Sequence, residues 1–274
     1  QKGLPTFNYN LINNHWPVKG FSVTDITAAT GIRFMHQENV FQEFNREQLI
    51  PQMNSTEGPA LAIADINHDA MEDIFIGSAR GGQRGVYLQQ KNGKFIKTTQ
   101  PVIALDSNYE DVDAVWSDVN NDGHLDLIVG TGGNEYFGKD QFMQSRVYLN
   151  DGKGNLKRLE NAIPVYNQTS SIIASDFNKD GFVDLFISSK TVSMQYGLEP
   201  DAYVLYNTGD GHFKDVTEKV APFLNKIGMV TNAIQADMNK DGIKELILTH
   251  QWGGIDIIYT KANNWSKGVV TTLL

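Results

Sequence analysis

The chain has 274 residues, 41% of them hydrophobic, and a formal net charge of −9. That length can bury a sizeable core, and the composition, with no long unbroken apolar run, fits neither a disordered chain nor a helical membrane span. No basic stripe offers itself to nucleic acid, and without cysteine there is no disulfide framework from which to read a compartment.

In chain order, no apolar leader follows Gln1, so the sequence reads as a processed or excised piece. A leading segment, residues 1–55, holds Phe21–Thr27, which matches the outer-strand start at Phe213–Thr217 and is expected to close a preceding unit. Phe41–Gln52 is the one stretch whose pattern suggests a short helix. From there one unit repeats, with expected boundaries 56–105, 106–165, 166–225 and 226–274.

Each unit opens on a short strand of small or apolar residues: Ala60–Ala64, Asp113–Ser117, Ser171–Ser175 and Asn232–Ala236. An acidic motif follows, and then a nearly pure apolar strand, at Ile74–Gly77, Leu127–Gly130, Leu185–Ser188 and Leu246–Thr249. Runs of that kind read as strands buried on both faces. A third strand covers Gly85–Gln89, Ser145–Leu149, Ala202–Tyr206 and Gly254–Tyr259. Turn signals at Lys91–Gly93, Asp151–Gly154 and Thr208–Gly211 then lead to a fourth, outer strand opening at Phe95, Leu156 and Phe213. Four antiparallel strands repeated radially make an all-β fold, a β-propeller of four-stranded blades. Four such blades suggest part of a larger ring, of about seven blades.

The acidic motifs begin at Asp65, Asp118, Asp176 and Asp237, at intervals of 53, 58 and 61 residues. They share the form D-x-N-x-D-[GA]-x-x-[DE]. Oxygen-bearing side chains stand at positions 1, 3, 5 and 9: Asp65, Asn67, Asp69 and Asp73; Asp118, Asn120, Asp122 and Asp126; Asp176, Asn178, Asp180 and Asp184; Asp237, Asn239, Asp241 and Glu245. With the position-7 carbonyls of Met71, His124, Phe182 and Ile243, they form a candidate shell for Ca²⁺, a hard cation that takes 6–8 oxygens. Up to four structural Ca²⁺ would return most of the negative charge. An EF-hand would require a bidentate Glu at position 12, where this chain has Ile76, Val129, Ile187 and Leu248. Ala70 replaces the turn glycine of the first motif, which predicts strain and a weaker site, and Glu245 replaces the last Asp of the fourth. A filled shell predicts a structural ion, and leaves partner binding to the long polar loops Gly132–Gln144 and Thr191–Asp201.

These motifs, with Phe44–Glu47, Gly58–Asp65, Glu110–Asp113, Gly132–Tyr136 and Leu149–Asn155, resemble the FG-GAP/VCBS repeats that build integrin α-subunit propellers, and within them the cartilage-acidic-protein-like (ASPIC/UnbV-associated) group. The resemblance implies a calcium-stabilised propeller with no common catalytic role, often part of a longer chain. It also implies an extracellular or cell-surface setting, the bacterial outer-membrane surface foremost, with a protein or surface glycan as partner. The alternative function is a polysaccharide-lyase-like enzyme, or a lectin, on the same propeller.

Other residues carry weaker signals. Trp16, Trp116, Trp252 and Trp265 could stack on sugars; Trp116 reads as core, and Trp252 is the best exposed candidate. His15, His36, His68, His124, His212 and His250 show no paired metal spacing, and His68 and His124 read as solvated loop residues. Arg46 with Glu47 and Glu110 with Asp111 read as a salt-bridged linker rather than a ligand-facing cluster. Asn54, Asn167 and Asn264 match N-glycosylation sequons, a short pattern of little weight.

Overall fold

The computed structural model describes residues 24–261 and 264–268. Among the described residues sixteen strands form four separate sheets, each a four-stranded antiparallel meander in sequence order. The first holds β1 (Leu61–Ala64), β2 (Asp73–Ile76), β3 (Gly85–Gln89) and β4 (Phe95–Lys97). The second holds β5 (Asp111–Ser117), β6 (Asp126–Thr131), β7 (Arg146–Asn150) and β8 (Leu156–Leu159). The third runs β9 (Gln168–Ser175), β10 (Asp184–Thr191), β11 (Tyr203–Asn207) and β12 (Phe213–Asp215). The fourth comprises β13 (Val230–Ala236), β14 (Glu245–His250), β15 (Ile255–Lys261) and β16 (Asn264–Gly268). The opening strands β1, β5, β9 and β13 contact one another in succession, so the sheets stand side by side as blades of a β-propeller.

In the second to fourth blades the second strands are the most buried, as their apolar runs predict. All six residues of β6 are buried, and Leu185, Phe186 and Ile187 of β10 are fully enclosed. Three apolar cores lie between neighbouring blades. Ala62 and Phe75 meet Trp116 and Leu127 between the first and second, Ile128 and Val147 meet Ile172 between the second and third, and Phe177 and Phe186 meet Leu248 and Trp265 between the third and fourth. Trp116 is therefore core, as the sequence suggests.

The two ends of the array differ from its middle. On the side facing a preceding blade, Ala114 and Trp116 are buried, whereas the equivalent Leu61 and Ile63 of the first blade are 56% and 52% exposed. On the other side, Ala62 is buried while the equivalent Ile234 of the last blade is 53% exposed. Motif position 2 repeats the contrast: Ile66, Val119 and Phe177 lie under the next blade, and Met238 is exposed.

Two expectations for the leading segment fail. Phe41–Gln52 holds only a 3-10 turn, Glu43–Asn45. The buried Glu43 carboxylate there accepts the N–H groups of Asn54 and Ser55, at 2.6 and 2.9 Å, which folds the segment back in a bend and stops a helix from propagating. Of Phe21–Thr27, residues 21–23 lie outside the described residues, as do His15 and Trp16; the remainder shows no strand, and a short helix, Thr27–Thr30, begins at its end. Among the described residues no helix is long and apolar enough to cross a membrane.

Candidate metal centres and the opposite rim

Each acidic motif forms the loop between the first two strands of a blade, so all four lie on one rim. Their hydrogen bonding is the same four times over. The position-1 carboxylate accepts the N–H of position 5 on one oxygen, at 3.1–3.2 Å, and that of position 6 on the other, at 2.8–3.0 Å. The position-3 Asn oxygen accepts the same position-5 N–H at 2.8–3.1 Å. Position 5 in turn accepts the N–H of Met71, His124, Phe182 or Ile243 at 2.9 Å. Oxygens from positions 1 and 3 thus converge on a single amide in every loop.

The curl requires two left-handed residues per loop. Position 4 is one, with φ of 57–63° at His68, Asn121, Lys179 and Lys240. Position 6 is the other, at Gly123 (86°), Gly181 (91°), Gly242 (83°) and Ala70 (64°). Ala70 therefore does sit where glycine is favoured, at a cost of about 1 kcal/mol.

Position 9 bonds both the loop and, in three blades, the third strand. Asp73, Asp126 and Asp184 are completely buried, and each accepts an N–H of its loop on one oxygen and an N–H of the third strand on the other. Burial raises all three carboxyls, Asp126 and Asp184 to about 6, with the loop carboxylates adding repulsion and the N–H bonds opposing both. Glu245 instead reaches back to Met238 N and Asn239 Nδ2, both at 2.8 Å, and leaves the third strand unbraced.

Among the described residues no three His, Asp or Glu side chains gather as a cation-holding group. The donor chemistry nevertheless fits Ca²⁺. Positions 1, 3 and 5 offer two carboxylates and an amide oxygen, and an oxygen that accepts one N–H keeps a second lone pair. His68 and His124, read from sequence as solvated loop residues, also pair across neighbouring loops at 2.9 Å.

Side chains also tie the blades together on this rim. Asn150 Nδ2 donates to Leu125 O of its own blade and to Ile66 O of the preceding one, and Asn207 does the same to Val183 O and Val119 O. In the last blade Thr260, paired at the equivalent place, reaches only its own Lys244 O.

At the opposite rim Asp111 is wholly buried between Arg84, at 2.7 Å, and Arg146, at 2.6 Å. Arg46 pairs with Glu47 at 2.9 Å, so the linker reading holds for both. Glu110 departs from it: it is buried, one of its oxygens has no hydrogen-bond partner, and desolvation pushes it up to about 9, with Glu38, Glu135 and Asp111 adding repulsion. Asn54 and Asn167 are buried, so two of the three sequons lie inside the fold.

The loops Gly132–Gln144 and Thr191–Asp201 meet here and line a cleft of about 840 Å³ between the second and third blades. Tyr166, Asn167 and Gln168, at and just before the start of β9, contribute to it as well, and the sequence marks none of them as cleft residues. Trp252 is 66% exposed and stands edge-on to Tyr196 of the second loop, 5.4 Å between ring centroids.

Residues 65–129 and 118–187 match the FG-GAP-like repeat. Cartilage acidic protein 1 of Mus musculus is 23% identical over 199 residues, 71% of this chain and 29% of that protein. Phosphatidylinositol-glycan-specific phospholipase D of Mus musculus is 28% identical over 171 residues, 57% of this chain and 19% of that protein. The chain thus spans less than a third of the length of these relatives. Among solved structures, the Dos1 propeller aligns over 76% of this chain and 46% of its own, at 12% identity and a TM-score of 0.43. The V. cholerae biofilm matrix protein Bap1 aligns over 77% and 30%, at 16% identity and a TM-score of 0.35. The first three acidic motifs and the strands around them match FG-GAP-like repeats, and the chain is a β-propeller in fold, similar over part of its length to cartilage acidic protein 1.

Proposed function

We propose that the chain is a binding or scaffolding module: an arc of a larger, calcium-stabilised propeller that presents the loops of one rim to a protein or glycan partner. The observation that carries this reading is the four-fold recurrence of one hydrogen-bond pattern, with position-1 and position-3 oxygens converging on the same amide. The ions would be held by positions 1, 3 and 5 and the position-7 carbonyl, with position 9 fixing the loop or entering the shell. Each would neutralise carboxylates crowded between two strands and so hold that turn closed. The exposed Leu61, Ile63 and Ile234, at places buried elsewhere in the array, support further blades at both ends. Because extracellular calcium modules work at ~10⁻⁴–10⁻³ M, the reading favours a secreted or cell-surface setting, a bacterial outer surface included. The phospholipase D activity named for one relative stays with that protein.

Thermal melting with and without chelator tests the calcium. A cation that binds the folded state alone adds ~2.7 kcal/mol per site at a hundredfold excess over Kd. EDTA should therefore lower the melting temperature, and Ca²⁺ should restore it better than Mg²⁺, whose smaller octahedral shell suits these loops poorly. A melting curve indifferent to EDTA would remove calcium from the proposal.

A further inference from the structure

The geometry points to the cleft between Gly132–Gln144 and Thr191–Asp201 as a docking site for a short extended peptide of a partner protein, with apolar anchor side chains flanked by Lys or Arg. This inference rests on the binding role above and specifies its ligand.

The mouth is ringed by apolar side chains that the fold leaves in water: Phe137 at 59%, Met194 at 45% and Leu198 at 51% exposure. Tyr166 and Tyr203 stand half-buried on its walls, and Met143 is buried at its base. Large exposed apolar side chains gathered at a concavity mark interaction sites. A volume of about 840 Å³ holds several residues of a peptide rather than one side chain.

Met194 is held at φ 64°, a left-handed conformation that strains any residue carrying a Cβ. Its loop is pinned from both sides, by Tyr196 N donating to Glu47 Oε1 at 3.1 Å and by Gln251 Nε2 donating to Tyr196 Oη at 3.0 Å. The strain is therefore supported by surrounding structure, which is the pattern of a preformed site. Methionine, unbranched and polarizable, adapts to varied apolar side chains.

The polar groups of the cleft argue against a polyhydroxylated ligand. Gln168 donates to Ser193 Oγ at 2.7 Å and accepts Asn134 N at 3.0 Å, and Asn167 donates to Ser189 Oγ at 3.1 Å. These amides are already engaged within the protein. Glu199 and Asp201 line the cleft against a single cation among its lining residues, Lys226. That balance disfavours an anionic lipid or fatty acid and suits a basic residue beside the anchor.

A phage-displayed random dodecapeptide library panned on the full chain in Ca²⁺ tests this, with a mammalian and bacterial glycan array run in parallel. Expected are selected peptides with two or more apolar residues next to Lys or Arg. Synthetic copies should bind at least about tenfold more weakly to Leu198→Asp and Phe137→Asp, both exposed positions whose folding is checked by melting. Glu199→Lys should abolish the basic preference and leave the apolar one. Peptide binding unchanged in all three variants overturns the assignment. Glycan binding that Leu198→Asp removes keeps the cleft as the binding site and overturns the peptide. No binding on either array overturns the peptide together with the binding role.

Discussion

The carboxylate of Asp126 accepts the main-chain N–H of Asn150, in the third strand of its blade, at 2.8 Å. Its second oxygen accepts Val119 N at 3.0 Å, so one buried side chain joins the acidic loop to the adjacent third strand of the sheet. Removing it would orphan two buried donors, each worth about 1–3 kcal/mol. With EDTA present, Asp126→Ala or Asp184→Ala should cost roughly 2–4 kcal/mol. Asp122→Ala, which loses an exposed acceptor, should cost less than about 1 kcal/mol. Urea titrations give this ordering directly; equal costs would mean that position 9 braces nothing.

Ala70→Gly should relieve the first loop. The left-handed strain of about 1 kcal/mol disappears, part of it offset by the extra freedom of glycine in the unfolded chain. The melting temperature should rise modestly in EDTA, and calorimetric titration should show a tighter first site. A first site already as tight as the second and third would contradict the strain argument.

Glu110 sets an alkaline weakness. Its folded pKa of about 9 lies above its ordinary value of 4.5, so the unfolded chain gives up this proton at lower pH than the folded one. Its contribution is fully present below about 4.5 and is lost as pH rises toward 9. Glu110→Gln keeps the neutral shape, and should flatten that decline and be the more stable protein at pH 8. Parallel stability–pH curves for the two proteins would show that Glu110 does not titrate as described.

Asp111 lies between two buried arginines, and Arg146 also stacks on Tyr109 at 4.1 Å. Removal of one member of a buried ionic group leaves uncompensated charge and costs about 3–5 kcal/mol. Asp111→Asn should therefore reduce stability by about that amount and shift the chevron mainly in its unfolding limb. A loss under about 1 kcal/mol would mean that water already solvates the arginines.

The blades could be read from sequence because period, strand pattern and turn chemistry agree in each unit. Leu127–Gly130 and Leu185–Ser188 sit in the second strands β6 and β10, as their apolar runs require. Within the motifs the turn glycines were legible. The burial of Asp73, Asp126 and Asp184 was not, because alternate spacing gives the order of oxygens along a loop and not which of them the third strand claims. Phe41–Gln52 misled because Glu43, a good helix former, spends its carboxylate on distant amides. The cleft was visible only as two long loops; what makes it concave is that two successive blades stand side by side and bring those loops together.

Asn150 and Asn207 each grip carbonyls of two blades at once, while Thr260 holds only one. A structure coupled in this way melts as a chain of neighbours, each unit borrowing resistance from the one beside it. On this rim the second and third blades cannot open without dragging a neighbour's loop apart, whereas the fourth lacks that tie and is held by its core and by bonds such as Gln251 to Tyr196. Fraying should start there, and amide exchange in β13–β15 should outpace that in β6 and β10 well below the temperature at which the whole array gives way.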